Sequence, residues 1–156
     1  MITMRSISRF IAEALDASVE FQALSTANAG ETFSYFVNVD LSEVEVTIPY
    51  FGIVTFENTD EREVKHGFKT QILLGINRDQ PTKVGNITEE ATVEKIEALA
   101  IKALEIIADE LRTYGINGDN NIKIAYTNFY VPNPEGEDDL QIQIDIELEQ
   151  DKFLAC

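Results

Sequence analysis

A strictly alternating segment near the end of the sequence constrains the fold most. Between positions 140 and 149, apolar residues alternate without a break with glutamine, aspartate or glutamate. Side chains of a β-strand point alternately to the two faces of a sheet, so this pattern predicts a strand with one buried and one solvated face. The apolar face needs a covering layer. The apolar residues are Leu140, Ile142, Ile144, Ile146 and Leu148.

A long segment with helical periodicity can supply that layer. We expect this helix to begin at Thr88 as its N-cap, with Glu89 and Glu90 in the first turn, and to end near Tyr114 before Gly115. At a rise of about 1.5 Å per residue it would be roughly 40 Å long. Its apolar stripe consists of Val93, Ile96, Ala100, Ala103, Leu104, Ile107, Leu111 and Tyr114.

The rest of the chain predicts a short N-terminal helix and several strands. Ser6 is a candidate N-cap of the helix, whose apolar stripe is Ile7, Phe10, Ile11, Ala14 and Leu15. Pro49 suggests an edge position, a bulge or a strand break. Strands are predicted at residues 19–23, 33–40, 44–48, 52–56, 68–77 and 122–126, and within 128–131. Loops are predicted at residues 25–31, 57–65, 78–86 and 132–139.

This order of elements indicates one α+β domain over residues 1–156. Consecutive strands favour a mostly antiparallel sheet, packed on one long helix with the short N-terminal helix beside it. A hydrophobic content of 44% in 156 residues is ample for a single core. A chain of this length buries roughly two thirds of its unfolded surface.

The charge balance limits the classes of partner. The chain has 28 acidic and 12 basic residues, a net charge of −16, which disfavours binding to nucleic acid or to an anionic membrane. No apolar run is long enough to span a bilayer, and Glu13 and Asp16 interrupt any signal-peptide core, so we expect a soluble protein without a membrane partner. The single cysteine, Cys156, cannot form an internal disulfide.

Catalytic patterns are not recognisable in the sequence. The lone histidine, His66, falls in a charged segment predicted to be a loop, and the carboxylates of the last strand share one similar polar face. Residues 116–121 and 135–139 offer oxygen ligands but lack calcium-loop spacing, and no nucleotide-binding glycine motif occurs. We therefore expect no catalytic residue, no metal and no cofactor, and hence a protein that is not an enzyme.

Three further apolar residues of the long helix point partly away from its stripe. These residues are Leu99, Ile101 and Ile106. A helix that covers one sheet needs only one apolar face, so these side chains are covered either by the N-terminal helix or a loop, or by a neighbouring subunit. They are our candidate subunit interface.

The layout resembles that of the tail terminator (tail completion) proteins of long-tailed bacteriophages. The resemblance rests on the short first helix, on the segment VTIPYFGIVTF at residues 46–56, on the long helix after residues 68–77, and on the final hairpin TNFYVPNPEGEDDLQIQIDIEL at residues 127–148. It covers nearly the whole chain through element order and size. It implies a fold like that of tail-tube and tail-terminator proteins.

The resemblance also implies a function. Such proteins form a homohexameric ring that caps the tail tube, so the implied partners are further copies of the chain, the tail tube protein and a head-completion or neck protein. The implied location is the head-proximal end of the virion tail, after assembly in the host cytoplasm. Six copies at −16 each would carry −96, so DNA would pass the lumen without specific binding. The implied lumen-facing residues are Gln141, Gln143, Asp145, Glu147 and Glu149, with Glu43 and Glu45 from a second strand.

Other functions remain open at this point. Within the same class, the chain could be a neck, head-completion or minor tail protein. From another class, it could be an acidic adaptor that binds a basic protein partner. An enzyme with an unrecognised pair of carboxylates is the third alternative, and it would require a pocket that holds carboxylates in unlike environments.

Overall fold

A computed structural model describes residues 4–58, 65–117, 122–127 and 139–151, and the side chains of residues 7–56, 69–115, 122–127 and 139–147. The described helices are α1 (Met4–Ala17), α2 (Val19–Ala29) and α3 (Thr92–Thr113), with a 3₁₀ turn at Leu41–Glu43. The strands are β1 (Ser34–Val37), β2 (Tyr50–Asn58), β3 (Lys65–Asn77), β4 (Thr82–Val84), β5 (Ile87–Glu89), β6 (Ile116–Asn117), β7 (Ile122–Tyr126) and β8 (Asp139–Asp151).

The main sheet is mixed and has the strand order β1-β2-β3-β8-β6, with β7 also paired to β8. β1 runs parallel to β2, whereas β2–β3, β3–β8, β6–β8 and β7–β8 are antiparallel. The predicted α+β class and the predicted long helix are therefore confirmed. The helical layer contains one helix more than predicted, because α2 as well as α1 packs against α3.

The alternation of β8 is confirmed over its described side chains. Its apolar residues from Leu140 to Ile146 are at most 2% exposed. They share one face with Ile72, Leu74 and Ile76 of β3, as the antiparallel register requires. The long helix covers this face with a buried stripe, which consists of Ile96, Leu99, Ala100, Ala103, Ile107 and Leu111.

Helix α1 buries most of its predicted stripe against the same core, while Phe10 and Ala14 are half-buried. Ile7, Ile11 and Leu15 have no exposed surface. The predicted N-cap, Ser6, lies inside the helix instead, because α1 has begun by Met4. Phe10 stacks on Tyr114 with ring centroids 4.4 Å apart, and this contact joins α1 to the end of α3.

The strand predicted at residues 19–23 is wrong, because this segment belongs to α2. The side chain of Ser18 caps the helix by accepting a hydrogen bond from the Phe21 amide at 3.2 Å. Phe21 and Ser25, four residues apart, are both buried, which is the spacing of a helix that packs on one side. Gly30 ends α2 in the left-handed region at φ 79°, so most of the loop predicted at residues 25–31 is also helical.

The strand predicted at residues 44–48 is wrong as well. β1 and β2 are parallel, and a parallel pair needs a connection that crosses over instead of a tight hairpin. Residues 38–49 form this connection, which includes the 3₁₀ turn and reaches β2 after Pro49. The Ser34 and Thr47 hydroxyls lie 3.0 Å apart, so the connection returns alongside β1. None of the three alternatives predicted for Pro49 describes its position, because Pro49 directly precedes the first residue of β2.

The long helix begins later than predicted. Thr88 and Glu89 belong to β5, which follows the predicted loop at residues 78–86. The helix α3 starts only at Thr92. The Asp79 amide donates to the Thr92 hydroxyl at 2.6 Å, which fixes the end of β3 to the start of α3. The predicted helix end is confirmed, since Gly115 has φ 71° directly after the last turn.

Some predictions fall outside the described residues, namely the strand within 128–131, the tip of the 57–65 loop, residues 132–138 and Cys156. His66 is part of β3 and not of a loop, although its side chain is outside the description. None of the described helices has the length and apolar character needed to cross a membrane.

Candidate functional site

The candidate site is the face of the main sheet opposite the helices, which we call the open face. Gln141, Gln143 and Asp145 of β8 lie on it and are half-buried, and Glu147 is exposed. Glu149 occupies the next equivalent position in the register, opposite Gly67, and its side chain is outside the description. The structure thus brings the predicted polar residues of β8 together in one row.

Glu43 and Glu45 do not extend this row, contrary to our expectation. Glu43 lies in the 3₁₀ turn and Glu45 in the irregular part of the connection, and both side chains are exposed. The sequence predicts a strand here because Val44, Val46 and Ile48 alternate with polar residues. In the fold, this alternation belongs to the crossover between two parallel strands.

Two lysines lie across from the acidic residues of the row. Lys69 of β3 is the register partner of Glu147, and Lys123 of β7 is the register partner of Asp145. Directly opposed residues of opposite charge stabilise a sheet by roughly 0.2–1 kcal/mol. The amide of Gln143 also donates to Asp145 Oδ1 at 3.1 Å. The open face is therefore less negative than the β8 sequence alone indicates.

One end of the row is held by a buried polar cluster. Tyr50, 2% exposed, donates from its hydroxyl to Asp139 Oδ2 at 3.3 Å, and Gln141 donates from its side-chain amide to the same hydroxyl. Gly75 lies beneath the tyrosine ring and leaves no space there for a Cβ atom. Gln141 is thus fixed by the fold rather than available to a ligand.

An apolar recess occupies the half of the open face formed by β2 and β3. It has a volume of about 170 Å³. The connection between β1 and β2 forms its wall, with Leu41 against Gly52, where an added Cβ would lie 3.0 Å from Leu41 Cδ1. The lining residues are Val39, Leu41, Gly52, Val54, Gln71, Ile72, Leu73 and Gln143. No sequence pattern indicates this recess, because the residues that line it are distant in the chain.

The candidate subunit interface on α3 is only partly exposed. Leu99 has no exposed surface, because α1 and α2 pack against this side of α3 and enclose it in the core. It is therefore not an interface residue of this fold. Ile106 is half-buried against the same core. Of the three residues, Ile101 alone is mostly exposed, at 60%.

An apolar strip runs along the β7 edge on the helical side of the sheet. The Tyr126 hydroxyl of β7 donates to Glu97 Oε1 of α3 at 2.8 Å, and burial together with this carboxylate raises the pKa of the tyrosine. Ile101 follows Glu97 by one helical turn and therefore lies on the side of α3 that faces β7. Ile122 and Ile124 of β7 are 42% and 48% exposed. These three isoleucines form the strip.

A second apolar feature projects from the body of the protein. Among the described strands, β4 and β5 pair with each other alone and form a hairpin, which we call the arm (residues 82–89), turning at Gly85 with φ 62°. Every side chain of the arm is exposed. Its tip carries the register partners Val84 and Ile87, which are 81% and 63% exposed. The sequence prediction assigned most of the arm to a loop.

Acidic side chains are plentiful, but the described ones do not converge. Within the described ranges, no group of three or more histidine, cysteine, aspartate or glutamate side chains could hold a metal ion.

Comparison of the chain with protein-family models gives no match, and comparison with curated proteins gives none.

Proposed function

We propose that this chain is a structural subunit of a phage tail, a tail terminator whose copies form a homohexameric ring between the tail tube and the head. The observation that carries the proposal is the division of β8, which has one face buried under helices and the other forming a polar row across the open face. In a ring with the helices outside, this row would line the lumen.

The edges of the sheet support assembly with further copies. Among the described strands, β1 lies at one edge of the sheet and β6 and β7 lie at the other, and an edge strand can pair with a strand of another chain. The isoleucine strip lies beside the β7 edge and exposes apolar surface of the kind that marks protein contacts. Such a pair of unlike edges suits a head-to-tail contact, which closes into a ring when the rotation allows.

The composition of the row fits a wall that DNA passes without binding. Two of its members are amides, and the carboxylates of Asp145 and Glu147 lie opposite lysines, so positive charge is not concentrated at any point along it. Phosphate binding needs clustered cations. The tail tube protein and a head-completion or neck protein would contact the two ends of the ring.

The assembly state is the first test. We expect native mass spectrometry of the purified chain, with and without tail tubes, to show six copies at high concentration. A monomer under both conditions would contradict the ring. A ring that cryo-electron microscopy of assembled tails places elsewhere than at the head-proximal end would instead assign the chain to the neck or to a minor tail position.

Charge reversal tests the placement of the row. In the ring, Asp145→Lys with Glu147→Lys would add cations to the lumen next to Lys69 and Lys123, so DNA affinity should rise and depend strongly on salt. Glu13→Lys with Asp16→Lys changes the net charge equally on the exposed side of α1 and is the matched control. Both pairs are measured by fluorescence anisotropy with DNA short enough to enter the ring. Equal gains for the two pairs would show that the row has no special position.

An acidic adaptor is the alternative from another class. The net charge of −16 favours it, since a basic protein would be attracted strongly at low salt. A monomer that captures one basic partner and releases it with rising salt would support this alternative against the ring.

A further inference from the structure

The arm exposes apolar side chains, and contacts within its own chain do not explain this exposure. An isolated two-stranded hairpin is marginally stable in water. The arm nevertheless ends in two apolar side chains, Val84 and Ile87, that are mostly exposed. Lys83 is the only charged residue between Thr82 and Thr88. The tip therefore combines aliphatic surface with one positive charge.

The recess has the complementary properties. Its volume of about 170 Å³ is close to that of the apolar cavities of roughly 150 Å³ that accept a benzene-sized group, so it can hold one branched aliphatic side chain. Its floor is formed by Gly52, Val54 and Leu73. Asp145 lies next to two of its lining residues, since it is the register partner of Gln71 and accepts a hydrogen bond from Gln143.

We infer that the arm of one copy docks on the next copy, with one aliphatic side chain of its valine–isoleucine tip in the recess on the open face. A projection and a recess at different places on one chain make a head-to-tail contact, which gives closed rings or open filaments. Lys83 beside the tip is opposite in charge to the carboxylate of Asp145, which lies next to the recess. This inference rests on the proposed ring and specifies one of its contacts.

Docking would cover the apolar half of the open face and leave the polar half exposed. The arm would cover the apolar half formed by β2 and β3, including Phe56, which is 49% exposed. The polar row of β8 would stay open to the lumen. The apolar surface that is unsuited to a wall in contact with water would then be buried between copies.

Cross-linking between two differently labelled chains tests the docking. In a Cys156→Ser background, one chain carries Val84→Cys and a second carries either Val54→Cys at the floor or Gln143→Cys at the rim. The matched control replaces the second chain by Thr113→Cys, at the exposed end of α3. Docking holds the thiols together, so disulfide yield in the mixtures should exceed the control by at least about tenfold.

A second variant separates this inference from the ring itself. Val84→Ser with Ile87→Ser removes the apolar tip and should weaken assembly about tenfold or more, as seen by native mass spectrometry over a concentration series. Unchanged hexamers together with control-level cross-linking would overturn the docking and leave the ring standing. A wild-type chain that cross-links through Val84 but never reaches six copies would retain the docking and reject the hexamer. A monomer with control-level cross-linking would overturn both.

Discussion

Ile124 of β7 and Ile144 of β8 are direct register partners, yet Ile144 has no exposed surface and Ile124 is 48% exposed. The difference arises because α3 covers the sheet over β3 and β8 and leaves the outer side of β7 open. Of these two paired isoleucines, one therefore lies in the core and the other lies at the surface.

Truncation of this pair should give very unequal losses of stability. We expect Ile144→Ala to lower the free energy of unfolding by about 2–5 kcal/mol, because it leaves a cavity under α3. Ile124→Ala should cost under about 1 kcal/mol, since the side chain is already half in solvent. Urea denaturation of the monomer measures both. Similar losses would mean that β7 is covered within its own chain.

Two glycines of the open face should differ in their tolerance of alanine. A Cβ at Gly75 would lie 2.6 Å from Tyr50 Cζ, and the ring is buried and bonded to Asp139, so it cannot move aside. We expect Gly75→Ala to cost about 1–3 kcal/mol. Gly52→Ala meets only the end of the Leu41 side chain and should cost less. Thermal unfolding compares the two, and a larger loss for Gly52→Ala would contradict the packing described.

A chain of buried hydroxyls should be sensitive to an isosteric change. Thr55 Oγ1 lies 2.7 Å from the Ser8 hydroxyl and 3.0 Å from that of Thr70, and so connects α1 to β2 and β3. Thr55→Val keeps the shape but deprives both neighbours of this partner, at an expected cost of about 1–3 kcal/mol. Thr88→Val, on the exposed arm, is the control and should change the free energy of unfolding by less than about 0.5 kcal/mol. Equal effects would show that the hydroxyls do not stabilise the fold.

The ion pair between Arg78 and Glu90 should make a pH-dependent contribution. Arg78 donates from Nε and from a terminal nitrogen to the two carboxylate oxygens at 2.9 and 2.8 Å, and this holds the pKa of Glu90 below its ordinary value of 4.5. A lowered pKa in the folded state stabilises the protein above pH 4.5, and the contribution is lost as pH falls through the folded pKa.

The variant Glu90→Gln isolates this contribution. The wild type should exceed it in free energy of unfolding at neutral pH, and the difference should shrink as the solution is acidified below pH 4.5. Glu13→Gln, on the exposed side of α1, serves as the control for general charge effects. If the difference in free energy of unfolding stayed constant as the pH falls below 4.5, the ion pair would not contribute.

The sequence predicted the elements whose patterns are long and local. The alternation through Ile142, Ile144 and Ile146 extends far enough to exclude a helix, and the helical stripe of α3 is equally long. The segment Val19–Ala23 alternates over too few residues, so the helix cap at Ser18 and the burial of Phe21 against the core decide its structure instead.

The candidate site was predictable only along one strand. The polar row could be read from β8 itself, but Lys69 and Lys123 enter it through the register, which no local pattern specifies. The burial of Leu99 depends on two helices from elsewhere in the chain. The recess likewise requires Leu41 to fold over Gly52, and this contact follows from the parallel pairing of β1 and β2.

The central position of β8 has a consequence for synthesis of the protein. β8 is the last described strand in chain order, yet β3 pairs with it along its whole length and β6 and β7 pair with its other side. While the ribosome is still making these residues, the emerged part of β3 lacks one of its two neighbouring strands. We therefore expect the sheet to form only after translation has passed β8, and the nascent chain to depend on chaperones until then.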